Sequence, residues 1–255
     1  MLRTILSLTS HQLRFSTLDI CLHSLFLQTE EPDKVILYLD RDAKYQQLTK
    51  ETLDLQNRGL EIVITDNYIG PHTKYHYAMR QFPDDIVITV DDDVLYKNTL
   101  IADLKMSYKN FPNAVSAIRT HKMILRPDGN LDKYANWNLE HTQILNPSLH
   151  LFATGVGGVL YPPRCMNDEV FNVKVLKKFC LYADDIWLKT MQLLSGTPTV
   201  YAGTFHYALE TISNTQDCAL YKYNLHGGGN DDCIAKLVNY YGINIKKILS
   251  EEEGL

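Results

Sequence analysis

The chain has 255 residues, a formal net charge of −5 and an isoelectric point near 6.0. This length suits one α/β domain with a large core, and the acidic balance excludes nucleic-acid binding through a general basic field. No apolar run reaches the roughly 18 residues that a membrane-spanning helix needs, and the N-terminus lacks the apolar core of a signal peptide. Five scattered cysteines without CxxC pairing predict free thiols and a cytoplasmic protein.

Strand and helix patterns alternate in the first half of the chain. Short apolar runs rich in β-branched residues predict strands, and the stretches between them predict helices. In chain order we expect strand 4–8, helix 13–28, strand 34–39, helix 43–57, strand 60–64, helix 73–82 and strand 86–90. This β-α alternation predicts a mostly parallel central sheet with flanking helices.

The second half is less regular. Here the patterns predict strand 114–118, a hairpin of 122–125 with 131–134, a glycine-rich segment near 155–158, helix 186–194, strand 199–202 and helix 231–241. Neither an internal repeat nor a low-complexity linker divides the chain. We therefore expect a single domain.

Three adjacent carboxylates, Asp91, Asp92 and Asp93, follow the apolar strand 86–90. They would repel one another without a positive partner, and a hard divalent cation such as Mn²⁺ or Mg²⁺ is the natural one. Because open α/β sheets bind ligands at the carboxyl ends of their strands, the position predicts a metal-diphosphate site. The alternative is that some of these carboxylates cap a following helix.

Three segments in this order resemble the GT-A-type glycosyltransferases, and more narrowly the bacterial family-2-like transferases that build cell-surface polysaccharide. They are Asp91-Asp92-Asp93, the glycine-rich segment 154–163 and the acidic segment 183–187. The resemblance implies a Rossmann-like GT-A domain, with a nucleotide-binding half at 1–95 and an acceptor-binding and catalytic half at 96–255. It also implies metal-dependent, inverting transfer from a nucleotide-sugar to a saccharide or lipid-linked saccharide, in lipopolysaccharide or capsule biosynthesis. Such a protein would work in the cytoplasm, at the inner face of the membrane.

The resemblance also implies roles for residues of the donor site. Asp93 would bind the metal directly, with Asp91 as a second candidate ligand, while Asp91 or Asp92 would reach the ribose or a metal-bound water. Thr9 and Asp40 would recognise the base, and an Asp that accepts from a pyrimidine N–H favours uridine. The remaining donor-site candidates are Lys74 at the phosphates and Gly157 and Gly158, which either let the backbone approach the sugar closely or allow a positive φ. Alternatively, Asp40 is a turn residue and Lys74 a solvated lysine.

Asp184 and Asp185 match the acidic pair that supplies the general base in inverting members of the family. Asp185 would deprotonate the acceptor hydroxyl, and Asp184 would position acceptor or donor. The alternative is that both are acids at the start of a helix, favoured by capping and the helix dipole. His206 and His226 are candidates for an additional metal ligand, each with a structural role as its alternative.

Two other functions remain open. A haloacid-dehalogenase-type phosphatase also places Asp-x-Asp after an apolar strand, but that motif belongs to the first strand, whereas Asp91 follows three βα units. Leu95 also stands where that family has Thr or Val. A non-catalytic nucleotide-sugar-binding module would keep Asp93 but could dispense with Asp185.

Overall fold

The computed structural model describes residues 2–203, 209–215 and 228–253. The strands, in chain order, are β1 Thr4–Thr9, β2 Lys34–Asp40, β3 Leu60–Thr65, β4 Ile86–Thr89, β5 Val94–Leu95, β6 Val115–Ala117, β7 Thr120–Lys122, β8 Leu151–Ala153, β9 Val159–Tyr161, β10 Thr199–Tyr201 and β11 Glu210–Thr211. The helices are α1 Leu18–Leu25, α2 Lys50–Asp54, α3 Thr73–Gln81, α4 Leu100–Asn110, α5 Val173–Phe179, α6 Asp184–Ser195, α7 Gly229–Tyr241 and α8 Ile245–Glu253.

The central sheet has seven strands in the order β10-β6-β9-β4-β1-β2-β3. Strand β9 is antiparallel to both of its neighbours, and the other pairs are parallel. The predicted mostly parallel sheet with flanking helices is therefore confirmed. Two further sheets have two strands each, β11 with β5 and β7 with β8.

The buried strands β1, β2 and β4 lie side by side and bring three predicted site segments to one edge of the sheet. Leu6, Leu8 and Ile88 are completely buried, as expected of apolar residues in a parallel sheet covered on both faces. Ser7 is in register with Thr89, so the chain leaves β1 and β4 at the same level. The carboxylates that follow β4 therefore lie beside the end of β1.

Two predicted helices are shorter than expected. Instead of helix 13–28, a 3₁₀ turn at Gln12–Arg14 precedes α1. Instead of helix 43–57, two 3₁₀ turns flank the short α2, because Lys44 adopts a left-handed conformation with φ 47° and Thr49 starts the helix anew. The Thr49 side chain accepts from the backbone N–H of Thr52 and caps α2.

The predicted hairpin of 122–125 with 131–134 is mostly wrong. Its turn is present, with the Arg126 N–H donating to the Asn130 carbonyl at 2.8 Å, but only the isolated pair Leu125 and Leu131 bridges its arms. Strand β7 pairs with β8 instead. Tyr134 packs edge-on against Phe152 of β8, with 5.7 Å between ring centroids, and this aromatic packing replaces the second arm.

The cysteines of the described ranges, Cys21, Cys165, Cys180 and Cys233, are free thiols as predicted. Cys218 lies outside the described residues. Within those same ranges, no helix combines the length and apolar character that crossing a bilayer requires.

Candidate functional site

A cavity of about 870 Å³ opens at the carboxyl ends of the central strands. It gathers side chains from both halves of the sequence. The predicted site residues that line it are Thr9, Asp40, Lys74, Asp91, Asp92, Asp93, Asp184 and Asp185. Fold topology thus brings together residues up to 176 positions apart in the chain, from Thr9 to Asp185.

The backbone of the acidic cluster is fixed by one buried tyrosine. The Asp91 N–H donates to Tyr96 Oη at 2.9 Å, and Tyr96 Oη donates to the Val156 carbonyl at 3.0 Å. Tyr96 therefore ties the carboxylates to the glycine-rich segment. The cluster leads into the short strand β5, and α4 begins only at Leu100, so the helix-capping alternative is wrong.

Within the described ranges, Arg14 and Lys74 are basic partners of the acidic cluster, and the sequence patterns did not predict the role of Arg14. This arginine ends the 3₁₀ turn after β1, and its guanidinium bridges two carboxylates. One Nη atom contacts Asp92 Oδ1, and the other lies 2.9 Å from Asp93 Oδ2. The only sequence feature that could have indicated this contact is the position of an arginine just after the first strand. The turn that directs its side chain depends on tertiary packing.

Lys74 is the second basic partner and is buried in the first turn of α3. Its Nζ lies 2.6 Å from Asp91 Oδ1 and 2.8 Å from Asp184 Oδ2, so it connects the two acidic segments. Burial alone would lower the pKa of Lys74, but the carboxylates of Asp184, Asp91 and Asp185 outweigh it and hold the pKa well above its usual value. The solvated-lysine alternative is therefore wrong.

Asp184 and Asp185 open α6, whose N-cap is Ala183, so neither of them is the N-cap. Asp185 Oδ1 accepts a hydrogen bond from the Gly155 N–H at 2.9 Å. Burial and the negative charges of Asp184 and Asp91 raise the pKa of Asp185 to about 8. Burial also opposes ionisation of Asp184, but Lys74 outweighs it and lowers the pKa of Asp184. The two neighbours therefore differ near neutral pH: Asp184 is ionised, whereas Asp185 exchanges between its protonated and ionised forms.

The glycine-rich segment meets the site through a different residue from those predicted. A Cβ atom at Gly155 would lie 3.1 Å from both Asp185 Oδ1 and Lys74 Nζ. Gly157 instead approaches the backbone of Arg119, where a Cβ would lie 2.9 Å from the nitrogen. Gly158 has φ +89° and packs on Leu100. The positive φ of Gly158 confirms the alternative interpretation for that residue. Gly155 is the glycine that faces the carboxylates, and the approach of Gly157 and Gly158 to a sugar stays a prediction.

The remaining predicted residues have mixed outcomes. Thr9 and Asp40 line the cavity at the ends of β1 and β2, and Asp40 Oδ1 also accepts from the Asp42 N–H at 2.9 Å. The turn role of Asp40 is therefore real and coexists with its place in the cavity. His206 and His226 lie outside the described residues.

The donor set fits a hard divalent cation. Asp92 Oδ2 is buried and has no hydrogen-bond partner among the described residues, so this oxygen can coordinate a cation. Carboxylate oxygens are the ligands that Mg²⁺ and Mn²⁺ prefer. Nevertheless, no group of three or more His, Cys, Asp or Glu side chains within the described ranges is already arranged to hold a metal, since Lys74 and Arg14 take up part of the carboxylates.

One wall of the cavity contains aromatic side chains that the sequence patterns did not predict as site residues. His121, Tyr134 and Phe152 line it together with Arg119 and Glu140. Burial and the nearby Arg119 lower the pKa of His121 to about 4, so this ring is neutral at pH 7. The Glu140 N–H donates to His121 Nδ1 at 3.0 Å, and the Arg119 guanidinium lies 3.0 Å from Glu140 Oε1. The three rings are almost fully buried and pack on one another, so Arg119 and Glu140 are the side chains of this wall that a ligand can reach.

Comparison with solved structures shows the fold. The mannosyltransferase PcManGT from Pyrobaculum calidifontis, in complex with GDP-Man and Mn²⁺, has 12% identity and a TM-score of 0.56, with coverage of 93% of this chain and 64% of that one. S. aureus TarS 1–349 in complex with UDP has 15% identity and a TM-score of 0.50, with coverage of 95% and 72%. A CMP:2-keto-3-deoxy-manno-octonic acid synthetase complexed with CTP has 9% identity and the same TM-score of 0.50, with coverage of 88% and 98%. This chain thus spans less than two thirds of the PcManGT chain.

The family follows from the sequence itself. A search of curated proteins gave no match. The family model described as glycosyl transferase family 2 matches residues 12–159, which is more than half of the chain. The phosphatase alternative is wrong for this reason, and also because the acidic cluster follows β4 rather than β1. The chain belongs to glycosyl transferase family 2 and has the GT-A fold.

Proposed function

We propose that this protein transfers a sugar from a nucleotide-sugar, uridine-linked, to a saccharide acceptor with inversion and with the help of a divalent cation. The observation that carries the proposal is one cavity that holds both the Asp91–Asp93 cluster and Asp185, whose pKa is raised. Lys74 joins Asp91 of the cluster to Asp184, the neighbour of Asp185. A leaving-group site and a base in the same cavity are what direct displacement at an anomeric carbon needs.

The donor belongs to the half formed by residues 1–95. Asp93 would hold the cation, with Asp91 or Asp92 beside it, and a cation held there would supply Lewis-acid stabilisation of the departing diphosphate. Lys74 adds a buried positive charge next to Asp91 and can stabilise phosphate oxygens. Thr9 and Asp40, at the ends of β1 and β2, would receive the base, where a carboxylate that accepts from a pyrimidine N–H favours uridine.

The acceptor belongs to the half formed by residues 96–255, where Asp185 is the general base. A base works best when its pKa lies near the working pH, and the pKa of about 8 satisfies this condition. The Gly155 N–H fixes one carboxyl oxygen, and the ionised Asp184 is held in place by Lys74. Asp185 takes the hydroxyl proton as the acceptor oxygen attacks the face opposite the diphosphate, so no covalent enzyme intermediate is required.

The acceptor class rests on the resemblance of the three sequence segments to transferases of surface-polysaccharide synthesis. We extend the proposal accordingly to a saccharide or lipid-linked saccharide of lipopolysaccharide or capsule, handled at the inner face of the cytoplasmic membrane. The side chains of Arg119 and Glu140 in the same cavity support a sugar acceptor, because they can form hydrogen bonds with its hydroxyl groups.

Calorimetric titration with UDP, GDP and CMP tests the donor assignment, with and without Mn²⁺. We expect UDP to bind most tightly and its affinity to fall strongly when Mn²⁺ is removed, because the carboxylates repel a bare diphosphate. Asp93→Asn should lose most of this Mn²⁺ dependence, whereas Asp103→Asn, an acid in the first turn of α4, should retain it. Failure of all three nucleotides to bind would refute the proposal. Binding without any turnover would favour a non-catalytic module.

A further inference from the structure

The guanidinium of Arg14 holds the position between Asp92 and Asp93 that a cation would need. The three side chains are almost buried, with exposed fractions of 11% for Arg14, 6% for Asp92 and 10% for Asp93. The planar fork of arginine suits such a bridge, because its two Nη atoms can reach two carboxylates at once. One positive charge thus faces two negative ones, and Asp92 Oδ2 still has no hydrogen-bond partner in the described part of the chain.

We infer that Arg14 is the resident counter-charge of the cation site and that a divalent cation must displace it in order to bind. The two cannot share Asp92 and Asp93, because like charges at that separation repel strongly in a buried setting. This inference rests on the cation site of the proposed function, but not on the transfer of a sugar.

The displaced guanidinium would remain in the proposed donor cavity. Arg14 lines the same cavity as Lys74, so when it leaves the carboxylates it can turn towards the phosphate oxygens of the donor. Arginine binds phosphate through two parallel hydrogen bonds. Cation and diphosphate would then assist one another, since the cation releases Arg14 and the diphosphate keeps it away. The bare cation, in contrast, binds weakly.

Titration of Mn²⁺ alone, without nucleotide, tests this exchange by calorimetry and thermal unfolding. Arg14→Gln leaves two buried carboxylates without their partner, so we expect its melting temperature without metal to fall by about 5 °C or more. Mn²⁺ should restore that loss and should bind Arg14→Gln about tenfold or more tightly than wild type, because no side chain has to leave. The control Arg164→Gln removes an exposed pair with Asp84 and should behave as wild type.

Equal or weaker Mn²⁺ binding by Arg14→Gln, or no binding by either protein, would overturn the inference. If Arg14→Gln does not fold, Arg14→Lys replaces it. A lysine keeps the charge but loses the fork, so its Mn²⁺ affinity should lie above that of wild type, and an unchanged affinity would count against the exchange. The two proposals separate cleanly. Tight Mn²⁺ binding by Arg14→Gln without nucleotide binding refutes only the transferase, whereas Mn²⁺-dependent UDP binding with equal Mn²⁺ affinities refutes only the exchange.

Discussion

Replacement of Asp185 by asparagine is expected to lower the rate of sugar transfer by about 10²- to 10⁴-fold, the range that general bases contribute. The amide is nearly isosteric, and its oxygen can still accept from the Gly155 N–H, so the local structure should survive. An amide cannot take up the acceptor proton, however. Because Asp185 is not one of the proposed cation ligands and is held by the Gly155 N–H, the affinity for UDP with Mn²⁺ should be nearly unchanged. Initial rates and calorimetry on the same preparation measure both quantities.

A matched control is Asp231→Asn, since Asp231 lies in the first turn of α7 and its carboxylate likewise accepts a backbone N–H, that of Tyr134, at 2.8 Å. It should retain transfer. Full activity in Asp185→Asn would show that the base is another group. Equal losses in rate and in donor affinity would assign Asp185 to donor binding instead.

Although Asp185→Asn is expected to lower the rate of transfer, it is expected to raise the stability of the folded protein. The pKa of Asp185 is about 8 in the folded protein against 3.8 ordinarily, so the folded state retains a proton that the unfolded chain loses. The stability that this proton contributes is complete below pH 4 and is lost as the pH rises towards 8. Relative to wild type, Asp185→Asn should therefore gain stability across this window, by up to about 1.4 kcal/mol per pH unit. A difference in melting temperature that does not change with pH would contradict the raised pKa.

Lys74→Met is expected to be the most destabilising single change in the site. Methionine matches the aliphatic stem but leaves the buried Asp184 and the half-buried Asp91 without their cation, and breaking a buried pair such as Lys74 with Asp184 costs about 3–5 kcal/mol. For a domain of this size that corresponds to a fall in melting temperature of about 10 °C. The difference in stability between wild type and Lys74→Met should decrease as the pH falls from 7 towards the ordinary aspartate pKa range, because protonated carboxyls do not require a positive partner.

Lys50→Met provides the comparison, since Lys50 pairs with Asp54 on an exposed helix face with side-chain exposures of 81% and 55%. Exposed pairs of this kind contribute little to stability because solvent screens them, so its melting curve should barely move. If both lysine variants melted alike, Lys74 would not be the electrostatic link between the two acidic segments.

The sequence predicts this site best where local pattern and chemistry coincide. The β-branched run before Asp91 identifies β4, and the order of strands places Thr9, Asp40 and Asp91 at one edge. Lys74 was identified by position, but its burial between Asp91 and Asp184 depends on how α3 packs against the sheet, which periodicity does not encode.

The features that the sequence does not predict also depend on backbone conformation and tertiary packing. Gly155 rather than Gly157 or Gly158 meets the carboxylates, because backbone angles within the segment decide which glycine faces inward. The contact of Arg14 with the acidic cluster is not predicted by the sequence, because a 3₁₀ turn replaces the expected start of the helix and directs the arginine side chain towards the carboxylates. The predicted hairpin is mostly absent because Tyr134 packs on Phe152 instead of pairing in a second strand, although the turn itself forms.

Proton NMR of the sugar released from an α-linked UDP-sugar tests the central claim most directly. Slow hydrolysis, with water in place of the acceptor, reports stereochemistry even though the acceptor is unidentified. With Mn²⁺ present, an Asp185-assisted direct displacement predicts that the β-anomer appears first, before mutarotation, and that Asp185→Asn releases it far more slowly. Initial appearance of the α-anomer, or an equal rate of release in Asp185→Asn, would contradict the mechanism.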